Sequence, residues 1–374
     1  MAASPAPAPP PESWVRVTDR GLYVAPGDFY VDPVRPVARA VVTHGHADHA
    51  RPGHEAVLAT PETLAIMAHR YGERAGRQPQ ALGYHTPLQV GEVAVRLVPA
   101  GHVLGSAQAV LTWRGSRVVI SGDYKRRPDP TCSPFEPVPC DVFVTEATFG
   151  LPVFRHPDPA GEITRLLDAR RLFPERAILV GAYALGKAQR LIALLRAAGY
   201  DRPIYLHGAL QGLCALYQGQ GHDLGPLAPA TGQAKPTLAG EIVLAPPAAL
   251  SDRWARRLPE PLPALASGWM QVRQRARQRG VELPLLISDH ADWDDLTATL
   301  REVGAPRVWV THGAEAALCH WAQGQGFDAR ALALLGRGEG EDAGEAADGA
   351  PTPTDPGAGD ALYSLKSEQD SPIR

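Results

Sequence analysis

Three histidines and an aspartate fall within six residues, in the run His44-Gly45-His46-Ala47-Asp48-His49. The run follows the largely apolar stretch 38–42, which favours a buried strand. A regular helix could not direct all four side chains to one point, whereas a tight loop after a strand can. Imidazole and carboxylate groups suit zinc better than manganese or iron. Because four ligands are too many for one catalytic ion with an open position, the run predicts two metal ions and further ligands elsewhere.

Three further candidate ligands each follow an apolar, β-branched run, as expected for a metal site at one edge of a sheet. They are His102 after 93–98, Asp123 after 117–121 and His312 after 308–311. The ligand types and their positions after strand-like runs therefore predict one shared metal site at the edge of a sheet.

The order of these motifs resembles the metallo-β-lactamase superfamily, in which His-x-His-x-Asp-His is followed by a lone His, a lone Asp and a final His. Further segments resemble the β-CASP nucleases within that superfamily, most of all the bacterial ligase-associated DNA exonucleases. The resemblance covers roughly residues 14–335. The segments that carry it are 101–107, 145–150 with Glu146, 182–189, 288–292 with His290, and 311–313 with His312.

The resemblance implies a four-layer αβ/βα sandwich with an inserted small α/β cap. The sandwich would comprise residues 14–160 and 285–335, and the β-CASP-like insert residues 161–284. A change from short strands and turns to alternating helices and strands near residue 161 favours the same division. We expect a disordered leader at 1–13 and an acidic, disordered tail at 336–374.

Charge distribution matters more than the net charge of −3. The tail from 336 to 374 holds nine acidic and three basic residues, so the remaining chain is slightly basic. No apolar stretch approaches the length of a membrane span, and the N-terminus lacks the pattern of a signal peptide. The four cysteines form no CxxC pair and are expected to be reduced. We therefore expect a cytoplasmic protein without a membrane partner.

Roles for the site residues follow from the resemblance. It implies two zinc ions, with manganese possible: His44, His46 and His102 would hold the first, Asp48, His49 and His312 the second, and Asp123 would bridge both. Asp48 would also orient the attacking water. His290 is the candidate general acid, with Glu146 as its partner. Asp32 would support a ligand, or it would only open a turn before Pro33.

Substrate contacts are predicted at two places. Tyr183 and Lys187 stand at the start of a predicted helix, where backbone N–H groups and a lysine would suit a phosphate. Arg273 begins a series of arginines that ends at Arg279, close to Trp269. That series either follows a nucleic-acid backbone or is only a solvated helix face.

These features together predict a metal-dependent nuclease that hydrolyses phosphodiester bonds, preferentially a DNA exonuclease acting in repair with a DNA ligase or helicase as partner. The alternative is an RNA-processing exo- or endonuclease of the same architecture, which a histidine at the third marker, His312, favours. A small-molecule hydrolase would use the same metals without a basic groove. A non-catalytic binding module would need neither the full ligand set nor the pair of Glu146 and His290.

Overall fold

The computed structural model describes residues 8–334 and has an α/β fold with three sheets. The α/β class predicted from the sequence is confirmed. Residues 1–7 of the predicted leader and the predicted tail at 336–374 lie outside the described residues.

The first sheet has six strands that lie side by side in chain order. Strands β1 to β3 form an antiparallel meander, and β3 to β6 are parallel. The strands are β1 (Val15–Thr18), β2 (Gly21–Val24), β3 (Phe29–Val31), β4 (Arg39–Val41), β5 (Ala56–Ala59) and β6 (Gln78–Ala81).

The second sheet has seven strands, in the order β19-β18-β11-β10-β9-β8-β7. Its strands come from two distant parts of the chain, because β18 and β19 follow the insert and pair in parallel beside β11. The strands are β7 (Pro87–Val90), β8 (Val93–Pro99), β9 (Ala107–Trp113), β10 (Ser116–Ile120), β11 (Val142–Ala147), β18 (Arg307–Gly313) and β19 (Asp328–Ala331).

Helices cover the outer faces of these two sheets. Between the sheets, Leu22 and Val41 share one apolar core with Leu97. On the far side of the first sheet, Met67 of α1 (Pro61–Tyr71) packs in a separate cluster, and on the far side of the second sheet Leu296 packs in a third. The outer helices of the second sheet are α7 (Trp293–Val303) and α8 (Glu315–Gly324). The order helix, sheet, sheet, helix confirms the predicted four-layer sandwich.

The third sheet is built from the insert, and all its recorded strand pairs are parallel. Its order is β14-β13-β15-β12-β16-β17. The strands are β12 (Ile178–Gly181), β13 (Ile204–Leu206), β14 (Leu227–Pro229), β15 (Ile242–Ala245), β16 (Leu262–Ala266) and β17 (Leu283–Leu285). The helices are α2 (Pro159–Leu172), α3 (Lys187–Ala197), α4 (Gly208–Gly219), α5 (Lys235–Leu238) and α6 (Arg273–Gln278).

The insert packs directly on the sandwich. Its core includes Leu185 and Leu191, and it continues through Ile66 of α1 and Val103 of the sandwich. The last strand of the third sheet ends at Leu285, beside the predicted boundary at residue 284. The domain limits themselves stay a prediction.

One strand at the site runs further than the apolar pattern predicted. The pattern ended it at Thr311, but β18 reaches Gly313, beside β11, which reaches Ala147. The two strands continue to pair through Ala147 and Gly313, after a bulge between Thr145 and Ala147. His312 therefore lies inside a strand rather than after one. The apolar pattern missed this extension because the strand continues through buried polar residues, which the pattern assigned to a loop.

The described residues contain no helix that is both long enough and apolar enough to cross a bilayer. All four cysteines are free thiols.

Candidate active site

The sequence predicted that the candidate ligands would lie at one edge of one sheet. In the structure they come from both sheets of the sandwich. The loop with His44, His46 and His49 follows β4 of the first sheet, whereas His102 and Asp123 follow β8 and β10 of the second. Gly122 makes the close approach possible. Its φ is 58°, and a Cβ there would lie 2.7 Å from the Thr43 hydroxyl oxygen. Strand ends from both sheets thus meet at one point.

Asp123 lies at the centre of the ligand cluster. Its Oδ2 atom is 3.5 Å from His44 Nε2 and 3.8 Å from His102 Nε2. Its Oδ1 atom is 3.4 Å from His49 Nε2 and 3.2 Å from His312 Nε2. The two carboxylate oxygens therefore face two different groups of imidazoles, which is the arrangement that a bridging ligand needs.

Burial controls the charge state of the cluster. It lowers the pKa of His44 and His102 well below the ordinary value, and it lowers the pKa of His46. Burial alone would raise the pKa of Asp123, but His49 and the hydrogen bond from His312 outweigh it, so that this pKa is well below the usual range. Burial therefore favours neutral imidazoles at His44, His46 and His102 beside an ionised Asp123, the protonation states in which these groups bind metal ions.

Asp32 holds one of these imidazoles from behind. Its fully buried carboxylate accepts hydrogen bonds from Thr43 N at 2.7 Å and from the Thr43 hydroxyl at 2.7 Å. Its Oδ2 atom also lies 2.8 Å from His49 Nδ1. A carboxylate on the far nitrogen of a ligand histidine selects the tautomer and the ring orientation, so that Nε2 faces the cluster.

The donor set fits divalent metal ions. The ligand atoms of His44, His46, His102 and Asp123 lie within 4.8 Å of one another, and so do those of His49, Asp123 and His312. His44 Nε2 is buried and makes no hydrogen bond to any described residue. Such an atom costs free energy unless it has a partner, and an ion supplies one.

Asp48 lies at the rim of the cluster. Its carboxylate is 3.6 Å from His49 Nε2, and its side chain is 25% exposed. It belongs to neither of the two ligand groups just described. Asp48 is therefore a partly exposed carboxylate beside the buried ligands.

Glu146 and His290 form a buried pair against the ligand cluster. His290 Nδ1 lies 3.0 Å and 2.9 Å from the two Glu146 oxygens. The backbone N–H of Tyr124 donates to Glu146 Oε1 at 2.7 Å, which fixes the carboxylate. The His290 ring centroid is 4.6 Å from that of His102. Glu146 therefore engages Nδ1 of His290, and Nε2 lies on the opposite side of the ring.

The predicted substrate-binding residues are in three different environments. Arg273 is exposed at the first position of α6, and Tyr183 is half-buried. Lys187 is completely buried, and its Nζ atom donates to the Ile287 carbonyl at 2.9 Å. Next to Arg273 on the same helix, Arg275 stacks on Trp269 at 4.0 Å from the ring centroid.

Sequence reasoning missed contacts that the insert and the loop after β17 make with the ligands. The Leu185 carbonyl lies 3.2 Å from His46 Nε2, and the Asp289 carbonyl lies 2.9 Å from His102 Nδ1. Asp289 could have been noticed as the charged residue next to His290. Backbone carbonyls such as that of Leu185 carry no sequence signal.

Comparisons with known proteins agree with this geometry. No family model matches the chain. A protein of Opitutus terrae named probable DNA ligase is 26% identical over 323 residues, which are 85% of this chain and 31% of that protein. A ribonuclease of Thermus thermophilus is 28% identical over 49% of this chain and 49% of its own length. The endoribonuclease YSH1 of Gibberella zeae is 27% identical over 42% of this chain and 20% of its own length.

The chain thus spans from a fifth to about half of the length of these relatives. They match a chain that has a four-layer sandwich, an inserted parallel sheet and a His/Asp cluster in the order of the superfamily motif. The fold, the ligand cluster and these relatives agree with the resemblance to the β-CASP group of the metallo-β-lactamase superfamily.

Proposed function

We propose that this protein is a metal-dependent nuclease that hydrolyses phosphodiester bonds, and more specifically a DNA exonuclease that acts in repair beside a DNA ligase. One observation carries the proposal. The Glu146–His290 pair lies against a buried cluster of metal-ligand type, with the His290 and His102 rings 4.6 Å apart. A site that only stored a metal would not need an acid pair at this position.

Seven residues would hold two zinc ions, with manganese as the second choice. Bound divalent ions would lower the pKa of water and offset the negative charge that develops on the phosphate. His44, His46 and His102 would hold one ion, Asp48, His49 and His312 the other, and Asp123 both. Asp48, at the exposed rim, would also orient the attacking water.

His290 would donate a proton to the leaving oxygen. Its Nδ1–H bond to Glu146 stabilises the imidazolium, because a nearby carboxylate favours the charged form of a histidine. The proton on Nε2 is then the one that is transferred, and Glu146 keeps the ring from turning. Without this proton the leaving oxygen would depart as an unfavourable alkoxide.

Arg273 and Tyr183 would contact the nucleic-acid chain. Arg273 is exposed, and none of the ion pairs recorded among residues 8–334 includes it, so its guanidinium is available to a phosphate. The neighbouring pair of Arg275 and Trp269 offers a flat cationic surface on which a base could stack.

The choice of DNA rests on one relative. A protein named probable DNA ligase matches 85% of this chain with 31% of its own length, which supports an association between a nuclease of this kind and a ligase. RNA is the second candidate substrate, because two other relatives are named ribonuclease and endoribonuclease. His312, at the third marker, also favours RNA.

End-labelled single-stranded DNA and RNA of equal sequence would test the proposal. We expect the purified full chain, with zinc or manganese, to shorten the DNA from one end. Asp48→Ala and His290→Ala should lose this activity. Internal cuts in RNA with DNA left intact would move the protein to the RNA-processing alternative. No cleavage of either substrate, with hydrolysis of a chromogenic ester instead, would contradict the proposal.

A further inference from the structure

Five charged side chains form a second buried cluster beside the ligands. The cluster holds three basic and two acidic side chains, and every member is at least nine-tenths buried. We call it the charged clamp; its members are Lys125, Asp129, Lys187, Arg190 and Asp289. Burying ions is costly unless they are well paired, so a cluster of this size calls for an explanation in terms of what it holds.

The charged clamp joins the insert to the loop that carries His290. From α3, Lys187 Nζ lies 3.3 Å from Asp289 Oδ2 and donates to the Ile287 carbonyl at 2.9 Å. One turn further along α3, Arg190 donates to the Ser288 carbonyl and lies 3.5 Å from Asp289 Oδ1. Two cations of one helix therefore hold three successive residues of the loop.

The opposite side of the clamp reaches the loop that follows Asp123. Arg190 Nε lies 3.5 Å from Asp129 Oδ2, and Lys125 Nζ lies 3.9 Å from the same oxygen. Burial by itself would raise the pKa of Asp289, but Lys187 and Arg190 outweigh that effect and hold it below the usual range. Asp289 is therefore an ionised carboxylate between two cations.

Asp289 is directly connected to both halves of the site. Its carbonyl lies 2.9 Å from His102 Nδ1, so that His102 Nε2 faces Asp123. The next residue is His290, whose Nδ1 is bonded to Glu146. A shift of the Asp289 backbone would thus move a ligand and the acid together.

We infer that Asp289, held by Lys187 and Arg190, is a positioning residue. It fixes the position of the acid His290 relative to the ligand His102. This role rests on the proposed phosphodiesterase function. It also gives Lys187 a task other than binding substrate phosphate. Its Nζ atom is fully buried and already bonded, so a phosphate could reach it only if the clamp opened.

A double-variant cycle in the full-length protein tests this inference. We expect Asp289→Asn and Lys187→Met each to lower kcat about 10- to 100-fold with little change in KM, as is usual when a partner behind a ligand is lost. The double variant should be no slower than the worse single variant, because both remove the same grip. A rise in KM at constant kcat for Lys187→Met, with additive effects in the double variant, would overturn the inference and favour a phosphate contact.

Glu241→Gln is the matched control. Glu241 is a buried carboxylate within the insert and pairs with Arg202 and Tyr200. Its loss should reduce stability without changing kcat. An equal loss of kcat in Glu241→Gln would mean that any weakened ion pair in the insert impairs the site, and would contradict a specific role for Asp289.

Hydrogen exchange gives a readout that does not depend on activity. In Asp289→Asn, the peptide spanning 284–292 should exchange its amides faster than in the wild type or in Glu241→Gln. Unchanged amide exchange in this peptide would contradict the inference that the charged clamp holds this loop in place. A wild-type protein that cleaves no nucleic acid would instead contradict the proposed function, and the exchange measurement would still decide whether the clamp holds the loop.

Discussion

The sandwich side and the insert side of the site bury polar groups in different ways. On the sandwich side, the imidazoles of His44 and His102 are kept neutral by burial and are directed at a shared carboxylate, and His44 Nε2 has no hydrogen-bond partner among the described residues. On the insert side, Lys187 and Arg190 are buried, lie close to Asp289 and donate to backbone carbonyls. Neutral imidazoles beside a carboxylate suit ion binding, whereas oppositely charged side chains that pair with each other hold geometry.

The same contrast separates two residues that the sequence assigned to one task. Lys187 and Arg273 were both predicted to bind substrate, yet Lys187 is completely buried and Arg273 is exposed. A long cationic side chain can either stabilise the interior or bind a substrate at the surface, and its surroundings determine which role it has. The predictions below test this division of labour.

Loss of a ligand should have the largest effect. We expect His44→Ala to lower nuclease activity by about 10³-fold or more, because it removes a donor that faces the bridging carboxylate. His222→Ala, a histidine outside the cluster, should retain full activity. Turnover of end-labelled DNA at saturating zinc would measure both. Activity in His44→Ala equal to that of the control would contradict the assignment of metal binding to the sandwich side.

Loss of the acid should come next. His290→Gln should lower kcat by about 10²- to 10⁴-fold, since it removes the proton donor. Glu146→Gln should cost less, about 10- to 100-fold, because it only weakens the hold on the ring. Both deficits should shrink with a phosphodiester that has a nitrophenol leaving group, which needs no proton. Equal deficits on both substrates would argue that His290 acts on the metal ligands and not on the leaving group.

Arg273→Gln should affect binding and not turnover. We expect KM to rise about three- to tenfold, and the slope of log KM against log salt to fall by about 1, as for one lost phosphate contact. Arg171→Gln removes an exposed arginine that is ion-paired with Asp168, and it should change neither quantity. A fall in kcat at constant KM for Arg273→Gln would mean that Arg273, like Lys187, affects turnover and not substrate binding.

The smallest effect concerns pH. Burial lowers the pKa of His156 to about 3, against the opposing influence of Asp292. Below pH 6.5 the unfolded chain binds a proton at this residue that the folded protein does not, so stability is lost as the pH falls from about 6.5 towards 3. His156→Gln should therefore reduce the pH dependence of unfolding free energy by up to about 1.4 kcal/mol per pH unit in that window. Urea unfolding at pH 7 and 5.5 would measure the free energy of unfolding of the wild type and the variant. If this free energy changed equally with pH in both proteins, a buried neutral His156 would be contradicted.

Sequence reasoning was most successful where pattern and chemistry agree locally. Helix α1 begins at Pro61 for reasons that are local, because Thr60 caps it and the proline occupies its first position. The proximity of His44, His102, Asp123 and His312 also followed from ligand types after strand-like runs. Their roles in binding and catalysis stay predictions.

Other features depend on tertiary contacts that no local pattern encodes. Helix α3 was predicted, but nothing in its sequence shows that Lys187 and Arg190 point inward to a loop about a hundred residues later. The extension of β18 through His312 likewise depends on pairing with β11. Long-range pairing decides the burial of such residues, and burial decides what their charges do.

Counting bound zinc by native mass spectrometry tests the central claim most directly. With zinc in modest excess, we predict two ions on the wild type, two on Lys187→Met and two on His222→Ala, but one or none on His44→Ala. This result would assign ion binding to the sandwich side and positioning to the insert side. A wild type that carries no zinc, or a Lys187→Met variant that loses zinc as fully as His44→Ala does, would contradict the account.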